Sequence, residues 1–418
     1  MSNAPSEWLE LTLGEVADWG SGGTPTAGRA DYYGGDIPWA VIGDLDDGPL
    51  RTTSNTITGK GLAESSAKIV PEGSVLIAMY GSIGKLGLPT GVLATNQAIA
   101  FAVPKAGVLD RGYLFWYLMY QRDALAQAGK GVAQKNISQT ILKAWPITLP
   151  PLDEQRRIVA ILEDHLSRLE EGSAGIQRVM RLSVRYRDST LRAIYDEDAA
   201  VWGVCRLNDL MEKQSDGRWF QQGWSPRCAS NPVVEMNDWG VLKTTAIQHG
   251  SFDHAENKRL LTGTEPREDL EVKPGDFLIT RKGPRVRCGV AAYVGATRPN
   301  LMFPDTVYRF RVDESRVLHG YLEGFLRSPD AVRQIDRLKT GISESGLNLT
   351  HDRLLGLAVP ATPLTEQSKA LTVIESMSLG LARIVESSDW AMSASTTLRR
   401  ALLQAAFSGQ LTKESSGV

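Results

Sequence analysis

The segment Pro151-Leu152-Asp153-Glu154-Gln155 recurs as Pro363-Leu364-Thr365-Glu366-Gln367, and this repeat indicates the architecture of the chain. The two copies lie 212 positions apart (366 − 154), and Leu191/Leu403 and Tyr195/Phe407 keep the same separation. A proline followed by acidic residues is typical of a helix start, where carboxylates complement the helix dipole. The repeated stretch therefore predicts two long helices that begin near residues 153 and 365.

The repeat continues toward the N-terminus, but there its separation varies. It is 194 at Leu13/Leu207, 202 at Gly73/Gly275, 208 at Gly112/Gly320 and 212 at Asn136/Asn348. A drifting separation indicates loops that tolerate insertions. A constant one indicates packed helices, in which one extra residue rotates every later side chain by about 100°. Each half is therefore predicted to be a variable head followed by a helix of fixed length.

The heads have the patterns of mixed α/β domains. Short apolar runs predict strands at 75–79, 98–103, 277–280 and 307–312, and helices are predicted at 112–121 and 320–327. The run 307–312 alternates apolar and basic residues, which predicts that one of its faces meets water.

The helical segments carry apolar residues three and four positions apart, which is amphipathic spacing with coiled-coil character. These residues are Leu152, Val159, Leu162, Leu166, Leu169, Ile176, Val179 and Leu182 in the first copy, and Leu364, Leu371, Ile374, Met377, Leu381, Ile384 and Ala391 in the second. His165 corresponds to Met377 and is predicted to pack in a core. A run of ~40 residues at 1.5 Å per residue gives ~60 Å, which is longer than a domain is wide.

We therefore predict an α+β protein in which two mixed α/β domains are separated by two long antiparallel, coiled-coil-like helices, as a pseudo-two-fold internal repeat. The predicted boundaries are 1–150 for the first head, 151–198 for the first helix, 199–362 for the second head and 363–418 for the second helix.

Composition describes an ordinary globular protein of 418 residues, with 42% hydrophobic and 22% charged residues. No run approaches the roughly 20 apolar residues of a membrane span. The first ten residues also lack the basic-then-apolar pattern of a signal peptide. We expect a cytoplasmic bacterial or archaeal protein that does not bind a membrane.

Charge is unevenly distributed, although the net charge is only −2. Between residues 281 and 311 the only acidic residue is Asp305, against seven basic ones: Arg281, Lys282, Arg285, Arg287, Arg298, Arg309 and Arg311. An acidic partner such as DNA could face that segment.

Common catalytic motifs are poor matches. The segment 81–86 lacks the spacing of a phosphate-binding loop, and Asn231-Pro232-Val233-Val234 lacks the aromatic residue of an adenine-methyltransferase loop. The five histidines have no metal-ligand spacing, and Cys205, Cys228 and Cys288 form no C-x-x-C pair. We expect no catalytic residue, no metal site and no cofactor on this chain.

The duplicated P-L-x-E-Q segments resemble type I restriction-modification specificity (S) subunits. The closing stretch 402–411 (LLQAAFSGQL) resembles them too, as do Gly22-Gly23-Thr24-Pro25 and Gly35-Asp36-Ile37-Pro38-Trp39 near the start. The resemblance spans nearly the whole chain, with Pro360-Ala361-Thr362-Pro363 as a departure from a Leu-Pro-Pro-Leu lead-in.

The resemblance implies a non-catalytic DNA reader. Each target-recognition domain would read one half of a bipartite double-stranded DNA site, and the helices would set the spacing and dock two methyltransferase (modification) subunits. Those partners would carry S-adenosylmethionine and methylate adenine N6. Two restriction (motor-nuclease) subunits, which use ATP and Mg, would complete the complex for phage defence.

Glycine-rich loops with basic and amide side chains are the predicted DNA-binding elements. Their candidate residues are Tyr80, Ser82, Lys85, Lys130, Gln134, Lys135 and Asn136 in the first head, and Arg281, Lys282, Arg285, Arg287, Lys339, Ser343, Ser345 and Asn348 in the second. The candidate partner-docking residues are Leu152, Val159, Leu162, Leu169, Leu364, Leu371, Ile374 and Leu381.

Three other functions remain open on the sequence. The chain could serve as the recognition subunit of another multi-subunit phage-defence methylation system, which its co-purifying subunits would reveal. An enzyme with unrecognised motifs would bind S-adenosylmethionine by itself. A structural scaffold would assemble without giving its complex any sequence-selective DNA binding.

Overall fold

The computed structural model describes residues 7–129, 136–214, 216–341 and 343–412. Its contacts divide the chain into two compact units, unit 1 comprising Met1–Ile176 with Asp389–Val418, and unit 2 comprising Gln177–Ser388. Each unit contains one mixed α/β head and segments of both long helices. The predicted α+β class and internal repeat are confirmed.

The two long helices span Leu152–Trp202, with 51 residues, and Leu364–Phe407, with 44 residues. Both begin one residue before the predicted positions, directly after Pro151 and Pro363. The first helix continues through Gly172 and Gly175, whose α-carbons face open space. No helix in the described part of the chain is long and apolar enough to cross a membrane.

The first head is built on an open five-stranded sheet with the strand order Ala17–Ser21, Ile99–Pro104, Val75–Ala78, Leu86–Pro89, Gly48–Leu50. The pairs are antiparallel except the last, which is parallel. A three-stranded sheet (Asn55–Ile57, Tyr33–Ala40, Ala94–Thr95) and the pair Leu9–Thr12 with Pro146–Leu149 complete it. Its α-helices are Leu13–Val16, Gly59–Ala63, Arg111–Tyr120, Arg122–Ala128 and Gln139–Lys143.

The second head has an open four-stranded antiparallel sheet ordered Gln221–Gln222, Val307–Phe310, Phe277–Thr280, Ala291–Tyr293. A three-stranded sheet is formed by Asn257–Arg259, Gly240–Leu242 and Leu301–Met302. Two-stranded pairs join Val204–Arg206 to Ala358–Pro360, Ile247–Gln248 to Ser251–Phe252, and Lys282–Gly283 to Leu347–Asn348. Its α-helices are His319–Leu326, Pro329–Leu338 and His351–Leu355.

A buried glutamine joins the start of each long helix to a head. The Gln155 amide donates to the carbonyl oxygens of Val108 and Pro150, both at 2.9 Å, and its Oε1 accepts from Asp110 N–H at 2.8 Å. Gln155 is fully buried, so each of these bonds replaces one with water. The Gln of the repeated motif is therefore a structural clamp.

The second copy of the motif makes the same three bonds. The Gln367 amide donates to the carbonyl oxygens of Arg316 and Thr362 at 3.0 and 2.7 Å, and its Oε1 accepts from Leu318 N–H at 2.8 Å.

The far end of each long helix also packs on a head. In unit 1, Phe407 lies 5.2 Å from Tyr113 and 5.4 Å from Tyr117 between ring centroids. In unit 2, Tyr195 lies 5.0 Å from Tyr321 and donates its hydroxyl to the Tyr321 carbonyl at 2.8 Å. Each head contacts the start of one long helix and the end of the other. The number of residues between the two contacts of each helix is therefore fixed. This explains the constant separation of 212 positions between the copies (407 − 195).

The helices run antiparallel inside unit 1. Ser173 and Ser395 lie 3.3 Å apart through their hydroxyls, and Arg399 binds Glu170 at 2.6 Å. The predicted packing of His165 is wrong, since its side chain is exposed while the corresponding Met377 is buried. His165 faces solvent because the apolar face of this helix passes through Leu162 and Leu166 instead.

Candidate nucleic-acid interface

In the first head, the predicted loop that follows the strand Val75–Ala78 contacts Asn136, the one described residue of the second predicted loop. Tyr80 pairs with Asn136 in an isolated antiparallel bridge, and the Ile137 N–H donates to Met79 O at 2.9 Å. Gly81 and Gly84 have φ of 59° and 80°, a conformation that glycine adopts without strain. These glycines form the tight turn that presents the intervening side chains.

The side chains of this surface differ in exposure. Tyr80, Ser82 and Asn136 are exposed, whereas Lys85 is half-buried. The predicted residues Lys130, Gln134 and Lys135 lie outside the residues that the structure describes.

The second head repeats this arrangement. Lys282 pairs with Asn348, and the Leu349 N–H donates to Arg281 O at 2.7 Å. The two heads thus share a backbone framework with an asparagine at 136 and 348, but they carry Tyr80 in one head and Lys282 in the other. This is a geometry in which a common fold can present two different recognition surfaces.

Arg281 is folded onto its own head. Its guanidinium lies 4.9 Å from the ring centroid of Tyr308 and donates to Asn348 Oδ1 at 3.4 Å and to Asp305 O at 3.3 Å. The His351 ring also contacts Tyr308, with 4.2 Å between the ring centroids and an angle of 41° between the ring planes. Burial first, and then the charge of Arg281, lower the pKa of His351 below its usual 6.5.

Arg285 and Arg287 are also held by the protein. Arg285 binds the carboxylates of Asp336 and Glu344, both at 2.8 Å, and these bonds, Glu344 first, raise its pKa. Arg287 donates to Gln248 Oε1 at 3.0 Å and to the carbonyl oxygens of Ile247 and Thr244. Their side chains therefore stabilise the loop, and their predicted DNA contacts stay predictions.

The remaining predicted DNA-binding residues of this head are partly bound by the protein and partly exposed. The Lys339 ammonium is nearly buried and binds Asp336 at 2.9 Å, while Ser343 and Ser345 are exposed and bind each other at 2.7 Å. Lys282 is exposed, and within the described ranges it has no carboxylate within 4.0 Å. Of the predicted basic residues in this loop, Lys282 is the one whose charge faces solvent without a protein partner among the described residues.

The prediction that one face of 307–312 meets water is wrong at Arg309. Its side chain is 12% exposed and lies 3.5 Å from Asp276, which also binds Arg311 at 2.8 Å. The Asp276 side chain is 1% exposed, so it compensates these charges inside the head. Arg298 is likewise bound to four carbonyl oxygens, including those of Val233 and Glu235.

A further pair of equivalent turns lies beside these loops. The equivalence of the two turns was not predicted from the sequence. In the first head, Gly23 N–H donates to Thr95 O at 2.9 Å, and the Thr24 hydroxyl donates to Gln97 Oε1. A Cβ on Gly22 would come within 1.9 Å of Thr95 O, so only glycine fits there.

The second head has the same turn at 223–226. Trp224 N–H donates to Phe303 O at 3.0 Å, and the Ser225 hydroxyl donates to Asp305 Oδ1. A Cβ on Gly223 would come within 2.2 Å of Phe303 O. The shared pattern Gly-x-Ser/Thr-Pro at 22–25 and 223–226 was the available sequence signal.

A cavity of about 410 Å³ opens next to this turn in the second head. Its lining is largely apolar, with Pro226, Val241, Leu242 and Pro304 among its residues, and it also includes hydroxyl and ammonium groups of Ser225, Thr244, Thr245, Thr306, Lys243 and Lys258. Lys243 is paired with Glu256 at 3.4 Å, whereas Lys258 is exposed.

The predicted docking residues lie mostly between the helices and the heads. Leu162 and Ile374 are buried in the cores of their units. Val159 and Leu371 pack against Gly112 and Gly320, where a Cβ would come within 2.8 Å of them. Leu152, Leu169, Leu364 and Leu381 are half-buried. These positions explain the apolar stripe as packing, and their role in docking a partner stays a prediction.

Other apolar side chains of the helices are exposed, and the sequence pattern does not distinguish them from the buried ones. Trp390 and Leu379 are 75% and 65% exposed, and Leu182 is exposed too. In unit 2, Tyr186, Val373 and Ile384 contribute to a groove of about 440 Å³. Among the described residues, no group of three or more His, Cys, Asp or Glu side chains is placed to hold a metal ion.

Part of the chain matches the profile of a known domain. The profile of the type I restriction modification DNA specificity domain matches residues 5–175. The type I restriction enzyme EcoEI specificity subunit of Escherichia coli is 33% identical over 174 residues, which cover 42% of this chain and 28% of that subunit. The chain thus spans less than a third of the length of that relative.

A second relative aligns over nearly the whole chain. The EcoKI specificity subunit of Escherichia coli strain K12 is 22% identical over 98% of this chain and 90% of its own length. A solved chain from work on complex assembly and conformational transition of the type I R-M system shares the fold, with a TM-score of 0.72, 19% identity and coverage of 97% and 99% of the two chains. Residues 5–175 thus match the type I restriction modification DNA specificity domain, and the chain shares its overall fold with that solved chain.

Proposed function

We propose that this chain is the non-catalytic DNA-recognition subunit of a type I restriction-modification complex, with each head reading one half of a bipartite double-stranded site. The observation that carries the proposal is the pair of equivalent loop surfaces, Tyr80/Asn136 and Lys282/Asn348, on one shared backbone framework. Specificity at a groove edge depends on side-chain donors and acceptors, so different side chains on this framework would read different half-sites.

The exposed basic side chains support a small number of phosphate contacts in each head. Most basic residues of 281–311 are bound by groups of the protein, whereas Lys282 and the cavity residue Lys258 are exposed and have no carboxylate within 4.0 Å among the described residues. Because phosphate contacts dominate affinity, we propose that much of the binding energy of the complex comes from its partner subunits.

The long helices are the proposed docking sites for two modification subunits. Exposed apolar side chains such as Leu182, Leu379 and Trp390 would be covered by those partners, since burying them from water is favourable. In this proposal the modification subunits hold S-adenosylmethionine and methylate adenine, and restriction subunits that use ATP and Mg join them. The chain itself holds no cofactor and only directs the chemistry.

The deciding experiment is to express the chain with its genomic neighbours and map adenine methylation by long-read sequencing. We expect a bipartite motif that disappears when this chain is omitted. Methylation that persists unchanged without the chain would remove the recognition function. S-adenosylmethionine binding by the purified chain would contradict its non-catalytic role.

A further inference from the structure

The two equivalent turns differ in one property that matters for reading a base. Thr24 holds Gln97 in the first head, and Ser225 holds Asp305 in the second. In each case the hydroxyl engages one side-chain oxygen and leaves the other polar atom without a partner among the described residues. Gln97 thus presents an amide nitrogen, a donor, where Asp305 presents a carboxylate oxygen, an acceptor.

The turns lie at the predicted DNA surface of both heads. The Met79 N–H donates to Ala98 O, and the Arg281 N–H donates to Thr306 O, both at 2.8 Å, so the residue that follows Gln97 or Asp305 is bonded to the strand end next to Tyr80 or Lys282. Asp305 O also accepts from the Arg281 guanidinium, and Ser225 and Thr306 line the cavity of the second head.

A carboxylate and a phosphate repel each other because both are negatively charged. At a DNA surface, a carboxylate can instead accept a hydrogen bond from an exocyclic amino group, such as cytosine N4. Arg281 and Lys282 offset the repulsion that Asp305 would otherwise exert on the DNA backbone. A glutamine instead can bond adenine N6 and N7 together. The exposure of Gln97 and the partial exposure of Asp305 leave both accessible to a groove edge.

We propose that Gln97 and Asp305 are equivalent specificity-determining residues, each reading one base of its half-site in the major groove. Asp305 accepts from the amino group of a cytosine, and Gln97 pairs with an adenine. Thr24 and Ser225 are positioning residues that fix the rotamers of these side chains. The assignment rests on the proposed DNA-recognition function and adds the chemical identity of one contact in each head.

The test uses isosteric exchanges, Asp305→Asn and Gln97→Glu, in the full chain assembled with its modification subunits. Both variants keep an oxygen for the Thr24 or Ser225 hydroxyl, so the turn retains its bond. Each complex selects from a pool of randomised DNA duplexes, and the bound duplexes are sequenced. Glu265→Gln, which changes an exposed carboxylate elsewhere in the second head, is the matched control.

We expect Asp305→Asn to reduce discrimination about tenfold at one position of one half-site and to leave the other half unchanged. Gln97→Glu should do the same in the opposite half, and Glu265→Gln should keep the whole motif. An unchanged motif in both variants would overturn the assignment. Changes in both halves, or loss of all selection, would also overturn it, because the side chains would then support folding rather than reading. If the unmodified complex selects no bipartite motif, the proposed function itself fails.

Discussion

At the scale of single residues, the second head shows that a basic sequence need not be a basic surface. Arg285, Arg309 and Arg311 are compensated by Asp336, Glu344 and Asp276, which lie up to 59 positions away in sequence. Lys282 has no such partner in the described part of the chain. A charge that faces solvent is the one that releases counterions when DNA binds.

Replacing Lys282 with alanine should therefore weaken DNA binding by the assembled complex at all sequences alike and reduce the slope of log K against log salt by about one. Titrations at several salt concentrations measure both effects. Lys273→Ala is the control, since Lys273 is paired with Glu271 at 3.6 Å. Equal slopes for Lys282→Ala and the unmodified chain would place Lys282 away from phosphate.

His351 should make the second head less stable in acid. Burial lowers the pKa of this base in the fold, so as pH falls through about 6.5 the unfolded chain takes up a proton that the folded chain resists. Its contribution to stability is present above that pH and is lost below it. His351→Phe keeps a ring against Phe220 and Tyr308, and should reduce the loss of stability between about pH 7.5 and about pH 5.5.

Urea unfolding at both pH values measures this difference. The exposed residue His254, changed to glutamine, should retain the full loss of stability in acid. An identical pH dependence in His351→Phe and the unmodified chain would contradict the assignment.

At the scale of elements, the heads hold the long helices through a few buried polar groups. Gln155 and Gln367 each satisfy three backbone groups that have left water. The motif around them therefore specifies how a helix leaves its head, in addition to favouring helix formation. Losing the side chain leaves all three groups unpaired.

We expect Gln155→Ala and Gln367→Ala each to lower the free energy of unfolding by at least about 2 kcal/mol. Hydrogen exchange followed by mass spectrometry should show the loss in unit 1 for the first variant and in unit 2 for the second. Arg156→Ala, at an exposed neighbour, should stay within about 0.5 kcal/mol of the unmodified chain. Uniform loss across both units would argue against two local clamps.

The Gly22 turn depends on a close approach of two backbone segments. A Cβ at this position would overlap the Thr95 carbonyl, and backbone cannot move aside as a flexible side chain can. Gly22→Ala should cost about 1–3 kcal/mol, as overpacking does, and displace Thr24 from Gln97. Thermal unfolding compares it with Gly43→Ala, where the added methyl meets open space. Equal stability of the two variants would show that the turn can shift freely.

At the scale of the whole molecule, the constant separation between the copies indicates that helix length is under constraint. If the helices set the separation of the half-sites, inserting four residues after both Leu169 and Leu381 should change the spacer in the methylated motif while leaving each half-site sequence intact. Methylome sequencing of a strain carrying the insertions measures the spacer. The same insertion after Gly263, in an exposed turn, is the control. The original motif from the lengthened chain would refute the spacer role.

The duplicated plan, the starts of both long helices, the central strands and the location of the paired loops can all be predicted from the amino-acid pattern. Those features follow from local patterns, namely apolar periodicity, proline stops and repeated motifs, which act over a few residues. Which candidate side chains are free depends instead on contacts between distant parts of the chain. Arg287 is held by the carbonyl oxygens of residues 40 or more positions away, and Gln97 meets Thr24 across 73 positions.

Such pairings depend on how strands are placed beside each other, and no local pattern encodes that placement. This is why the pattern of the segment 281–311 predicts a basic surface, whereas most of its basic side chains are bound by carboxylate, carbonyl or amide oxygens of the head.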